Sequence, residues 1–334
     1  MKHFSLVFLV SASAVLSCAW TQQTVAAEVK LTRAEDRVRV EIAGRLFTEY
    51  VFKGAYRPYC YPVLAADGTG LTRDFPMKQN TGEDENHPHH RSLWFAHSDV
   101  NGVDFWNQDN AGSPRPKGKI LHDTLTEATS GKDTGVIRTT NKWVAPDNRV
   151  VCTDERTIRF SASGEDRAID FEITLLAPAD APVKLGDNKD GGMAVRVAQW
   201  MNMPRPPGPG RGFTGGQGHI VTAKGDRDSA AWGKRGDWCD YHAEHNGKTY
   251  GIAIFDHPQN LQHPTWWHAR DYGVFSANPI GWHDFEARTT KAGAGDFTLP
   301  VGGSLTLRYR VIFHMGDEKV ARLAERYADY AAGK

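Results

Sequence analysis

The sequence has no surplus of either charge: 40 Lys and Arg residues face 40 Asp and Glu residues, a formal net charge of zero over 334 residues. That balance offers no electrostatic footprint for nucleic acid or an acidic membrane, and leaves a small or neutral molecule, or a polymer read locally. Cysteine is scarce, with 4 in the chain. Beyond Cys18 there are Cys60, Cys152 and Cys239, so at most one disulfide can form among them and a disulfide scaffold is excluded. No local Cys/His signature marks a catalytic thiol. The apolar run at residues 4–16 is too short for a good membrane span.

That run has another reading. Lys2 and His3 precede it, and Val25, Ala26 and Ala27 supply small residues before Glu28, the pattern of a secretory signal peptide over residues 1–27. Val15, Leu16, Ser17 and Cys18 also form a bacterial lipobox, in which the signal ends at residue 17 and a lipidated Cys18 attaches the protein to the outer membrane. Both readings take residues 28–334 out of the cytoplasm, to a secreted, periplasmic or lipid-anchored location.

The body of the chain alternates apolar and polar residues. Residues 38–42, 157–161, 168–175 and 304–314 each carry the period of two expected of strands, and residues 164–167 read as the turn of a hairpin. Helical spacing shows in the tail, where Val320, Leu323, Ala324, Tyr327 and Ala331 recur after Asp317. The Pro- and Gly-rich run at 203–212 is the one linker-like stretch, and a long loop over a sandwich face explains it as well as a hinge does. The expectation is one large antiparallel β-sandwich over 28–334 with a C-terminal helix.

Chemistry concentrates in residues 86–106, which hold His87, His89, His90 and His97, with Arg91, Asp99, Asp104, Trp94 and Trp106. On an extended backbone His87, His89 and Arg91 share one face and His90 the other. Imidazole exchanges protons near neutral pH and arginine does not, so the histidines suit acid/base work and Arg91 suits clamping. Pro88 favours an edge or loop. His87, His89 and His97 also have spacings that could hold a divalent metal, although a neighbouring Arg91 repels a cation.

Other clusters add candidates. Arg57, Tyr59 and Arg73 combine aromatic and cationic groups on irregular backbone, suited to sugar faces and hydroxyls. Residues 186–196 place Asp187 and Asp190 in a glycine-bounded loop before an apolar strand, a source of a carboxylate or, less completely, of calcium ligands. Residues 256–273 bring His257, His263, Trp267, His268 and Arg270 together, followed by Asp284 and Glu286 as candidate bases.

These motifs carry a resemblance. Residues 87–91, Trp94 with Phe95, residues 101–106, the 186–196 loop and strand, and Asp256, His257, Pro258, Asn260, His263, Pro264 and Thr265 resemble the bacterial PmoA-like family of unknown function, whose members are typically secreted. The His-rich motif is also similar to that of galactose-mutarotase-like supersandwich proteins. That similarity implies a histidine acid at His87 or His89, an arginine clamp at Arg57 or Arg73, and a late base at Glu286.

The resulting expectation is an exported carbohydrate-active enzyme cleaving a glycosidic bond, as hydrolase or lyase, with sugar epimerase chemistry as a variant. His87, His89, His90, Arg91 and Glu286 are its catalytic candidates, and Arg57, Tyr59, Arg73, Trp94, Asp104, Trp106, His257, His263, Trp267 and His268 its substrate-binding candidates. The competing readings are a non-catalytic sugar-binding protein and, from the PmoA-like name, a metal-dependent oxidoreductase. No cofactor is required, and a divalent metal is the one alternative.

Overall fold

The computed structural model describes residues 27–108, 112, 114–206, 215–286 and 289–333. Residues 1–26 of the expected signal segment, Cys18 among them, lie outside these residues, as does the glycine-rich end of the 203–212 run.

Strand alternation builds two sheets. β1 (Val29–Arg33), β2 (Arg37–Ile42), β3 (Arg45–Val51), β4 (Tyr59–Val63) and β5 (Leu93–His97) start the first. β6 (Lys119–Thr129), β7 (Thr134–Val144), β8 (Val150–Ser163) and β9 (Asp166–Leu176) start the second. After β10 (Val183–Leu185), β11 (Gly191–Arg196) returns to the first sheet beside β5, while β12 (His219–Thr222), β13 (Trp238–His245) and β14 (Lys248–Asp256) extend the second. β15 (Trp266–Ala269) and β16 (Val274–Asn278) complete the first sheet. A short α1 (Trp282–Phe285) follows, then β17 (Phe297–Leu299), which pairs with β10, and β18 (Ser304–Met315), which enters the middle of the second sheet. The chain closes on α2 (Leu323–Ala331).

The first sheet runs β1-β2-β3-β4-β5-β11-β16-β15 and the second β12-β13-β14-β18-β9-β8-β7-β6, with antiparallel pairing throughout. Their inner faces meet through aromatic contacts. Phe47 meets Phe313 at 5.6 Å, Phe95 meets Trp143 at 6.3 Å and Phe275 meets Tyr241 at 5.8 Å between ring centroids. This is the antiparallel sandwich that the alternation implies, and each aromatic removed from water contributes roughly 1.5–3 kcal/mol.

The four sequence-derived strands fall within β2, β8, β9 and β18. The hairpin between β8 and β9 turns at Gly164, whose φ of 61° lies in the left-handed region that glycine enters without steric cost. The tail helix starts later than its periodicity suggests. Arg322 takes φ 53°, a left-handed residue that separates Val320, which is exposed, from the helix proper. The buried positions of α2 are Leu323 and Tyr330, which pack with Phe255 and Ile312 on the outer face of the second sheet.

One polar cluster crosses the apolar core. Asp154 accepts hydrogen bonds from Asn141 (2.6 Å) and Trp143 Nε1 (2.7 Å) and pairs with Arg156 at 2.8 Å, with both charges buried. Removing one member of such a pair strands the other charge in a low-dielectric interior. Arg156→Met should therefore lower unfolding free energy by about 3–5 kcal/mol in urea titration. A loss below about 1 kcal/mol would show that the remaining donors on Asp154 suffice.

Candidate active site

The site is built on the face of the first sheet that turns away from the second. In β5, Phe95 points inward to Trp143, so Trp94 points outward. Register then aligns Trp94 with Ala194 of β11, Ala194 with Ser276 of β16, and Ser276 with His268 of β15. Residues directly opposite one another share a face, so this row runs across four strands, about 14 Å at the usual strand spacing. Two small side chains separate the large ones. All four are buried, His268 being the most exposed at 3%.

Over Trp94 lies the His-rich segment, which is a turn and not a strand. His90 N–H donates to the His87 carbonyl at 2.9 Å, and His87 takes φ 49°. A left-handed residue costs roughly 1–2 kcal/mol, and the surroundings hold it there. Arg73 donates to the carbonyls of Asn86 (2.8 Å) and His87 (2.9 Å), and Arg57 donates to the carbonyl of His89. The alternating faces expected for His87, His89, His90 and Arg91 are therefore replaced by a cluster in which all three imidazoles touch. His87 and His90 stack at 4.9 Å, and His89 meets His90 edge-on at 4.4 Å.

The ring contacts continue into a closed circuit. Trp94 stacks on His90 (5.4 Å), His90 on His87, and His87 on Tyr272 (4.9 Å, planes 6° apart). The Arg270 guanidinium then lies between Tyr272 (5.7 Å) and Trp232 (4.7 Å), and Trp232 meets His268 edge-on at 4.9 Å. From His268 the sheet row leads back to Trp94. Arg196, two residues along β11 from Ala194, lies against Tyr272 at 4.9 Å.

Hydrogen bonds assign the protons. Asn86 Oδ1 accepts from Arg73 (3.2 Å) and Arg196 (3.1 Å), and His87 Nδ1 stands 2.9 Å from the same oxygen. An amide oxygen only accepts, so Nδ1 carries the proton of His87 and Nε2 keeps the lone pair. His268 Nδ1 donates to the Lys189 carbonyl at 3.0 Å, with the same consequence. His90 differs: its Nδ1 faces Arg196 at 3.3 Å and accepts, so its proton sits on Nε2.

Electrostatics keep these rings neutral. Burial, with Arg196 and Arg73 beside it, lowers His87 to about 4, and burial likewise lowers His268 to about 4 despite the nearby Asp190. Burial also shifts His89 and His90 down, helped by Arg57 beside His89 and by His89 and Arg196 beside His90. Burial alone would raise the Asp190 carboxyl, but His268 and Lys189 hold it below its ordinary value. It lies 3.8 Å from His268 and 3.0 Å from Lys189. The site thus presents neutral imidazole bases, an ionised carboxylate and guanidinium cations.

Several candidates have other work. Arg57 and Arg73 are buried scaffold donors, Arg57 reaching the carbonyls of Phe105 and Trp106 at 2.9 Å. Asp104 is buried, accepting the N–H groups of Trp106 and Asn107 and pairing with Lys117 at 3.1 Å. Trp94, Trp106 and Trp267 are at most 2% exposed, so they support the site or the core and offer no face to a sugar. Arg91 lies over Tyr59 at 5.8 Å, and Tyr59 is buried beneath it.

His257 packs on Tyr330 of α2, and His263 pairs with buried Asp256 at 2.8 Å, both by the second sheet. Glu286 is exposed just beyond α1, whose Phe285 packs on Trp232 and His268. The metal alternative finds no support in position. His97 shares the inward face of β5 with Phe95 and bonds the Gly186 carbonyl at 2.8 Å, so it does not converge with His87 and His89. Among the described residues the one group gathered closely enough for an ion is Asp240, His242 and Glu318, in another part of the molecule.

Arg196, Trp232, Arg270 and Tyr272 complete the site without having been singled out as site residues. Arg270 and Tyr272 carried a signal by falling in the second His- and Trp-rich stretch, and Arg196 by ending the 186–196 loop and strand. A groove of about 500 Å³ beside α2 contains Asp166 and Arg326, which neutralise each other at 2.8 Å. It gathers no imidazole.

A depressed imidazole pKa lowers stability in acid, because the unfolded chain binds a proton that the folded one refuses. For His268 this loss begins as pH falls below 6.5 and is complete below about 4. It amounts to about 3 kcal/mol. Urea titrations between pH 7 and 4 should show a shallower decline for His268→Gln than for the parent, and identical slopes would exclude the assignment.

Solved structures align with most of this chain, at low identity and low TM-score. The α-galactosidase AgaA of Geobacillus stearothermophilus aligns with 86% of this chain at 12% identity and TM-score 0.36, and this chain spans 40% of that protein. A galactose mutarotase-like protein from Clostridium acetobutylicum aligns over 88% of this chain and 100% of its own, at 10% identity and TM-score 0.37. A polysaccharide lyase aligns over 88% of this chain and 33% of its own, at 13% identity and TM-score 0.29. No curated protein matches by sequence. At the level of sequence family the match is extensive, covering residues 37–328, and the chain belongs to the family of unknown function DUF6807.

Proposed function

We propose that the protein is an exported carbohydrate-active enzyme that cleaves a glycosidic bond in an external glycan. The observation that carries this reading is the state of His87: half-buried, neutral at pH 7, with Nδ1 tied to Asn86 and Nε2 left as proton acceptor. Asp190, His268 and Arg270 surround the same circuit and supply a carboxylate, a second neutral base and a cation. Such a set can orient hydroxyl groups, take a proton and stabilise negative charge as it develops. Export rests on the signal-like run at residues 4–16.

Two routes to cleavage make different demands. Hydrolysis in its usual form needs two carboxyl groups flanking the bond. Of the two carboxylates that the described contacts bring near, Asp190 lies beside His268 of the circuit and Asp84 is tied to Asn86 outside it, so proton abstraction by imidazole is the better supported route. The non-catalytic alternative has its own support in the low basicity of His87, since a base works best with a pKa near the operating pH.

The mature protein incubated with a panel of plant and algal glycans, with and without divalent metal, tests this reading. New reducing ends with new ultraviolet absorbance indicate elimination, and reducing ends alone indicate hydrolysis. His87→Ala should reduce kcat about 100-fold or more while leaving glycan affinity within a fewfold. The pH profile should hold level from 8 down to 5 and fall as His87 gains its proton near 4. Binding without product under every condition would establish the sugar-binding alternative instead.

A further inference from the structure

Arg270 is the one cation of the circuit that the fold leaves available. Its guanidinium is partly exposed and lies between the Trp232 and Tyr272 rings. Among the described residues it makes no hydrogen bond and no ion pair, although guanidinium carries five donors. Stacking between two rings restrains its plane, and Tyr272 is itself held by His87 and Arg196. A restrained planar fork with open donors matches a carboxylate or another oxyanion, which it can hold through two parallel hydrogen bonds.

The charge around it points the same way. Arg73 and Arg196 are buried, and their hydrogen bonds go to backbone carbonyls, the Asn86 amide oxygen and the His90 ring, with no carboxylate among the acceptors. Asp190 is engaged by Lys189 and His268. The four imidazoles are held neutral. Asp84 is the other carboxylate nearby, accepting from Asn86 Nδ2 at 3.3 Å, so Asp190 and Asp84 stand against Arg73, Arg196, Arg270 and Lys189, and positive charge is in excess there even though the whole chain is neutral.

We infer that the site takes a sugar unit bearing an anionic substituent, a uronate carboxylate or a sulfate ester, with Arg270 as its receptor. This rests on the glycan reading above and narrows it to acidic glycans. The inference concerns recognition and holds for either route of cleavage.

The test is calorimetry on the full mature chain with uronate oligosaccharides, their methyl-esterified and therefore uncharged counterparts, sulfated galactan oligosaccharides and the desulfated forms. The acidic member of at least one pair should bind at least 10-fold more tightly than its neutral twin, and which pair does so identifies carboxylate or sulfate. Arg270→Gln should remove that preference, Arg270→Lys should restore part of it, and the salt dependence of binding should fall in Arg270→Gln. Arg149→Gln, which removes a charge from the exposed β7–β8 turn, should bind as the parent does. Equal binding of charged and neutral twins, or an unchanged preference in a folded Arg270→Gln, overturns the inference and leaves the glycan reading standing. Absence of binding to every oligosaccharide, charged or neutral, overturns both.

Discussion

The site depends on one oxygen atom. Asn86 Oδ1 accepts from Arg73, Arg196 and His87 Nδ1, and through it two strand-anchored guanidiniums meet the turn that carries the histidines. Arg196 ends β11 and Arg73 bonds its carbonyl, so the hub is fastened to the sheet. Two buried cations cannot share one neutral oxygen without cost, and Arg73 recovers stability from the carbonyls of residues 84, 86 and 87. The backbone of the His-rich turn is thus part of the solvation shell of buried arginine.

That arrangement decides the chemistry. Guanidinium stays protonated at any pH the protein meets, so it works against a second positive charge on the imidazoles packed above it. The histidines become proton acceptors at neutral pH instead of partly charged donors. The histidine acid implied by likeness to mutarotases would have to gain its proton against this field. An anionic sugar meets the opposite condition, since it supplies the negative charge that the turn and the sheet leave unmatched.

The sheet contributes by what it omits. Ala194 and Ser276, both fully buried, stand in the row between Trp94 and His268, small side chains between two large rings. Ser276 Oγ is buried there without a hydrogen-bond partner among the described residues. The aromatic contacts on the inner face of the first sheet back this row, while α2 and the buried polar pairs of the second sheet lie away from it.

Local pattern in the sequence determined the sandwich, since the alternation of residues 157–161, 168–175 and 304–314 reflects which side chains face the core, and that is set strand by strand. It also determined that His87, His89 and His90 would lie together, being almost adjacent. Tertiary structure alone decided their orientation, because a turn closed by His90 N–H and held by Arg57 and Arg73 overrides the alternation of an extended chain. It alone brought in Arg196, Trp232, Arg270 and Tyr272, which reach the turn through strand pairing and stacking between distant segments. Composition sums charge over the whole chain and reads zero, whereas the field at a site depends on which charges burial brings together, and only folding specifies that.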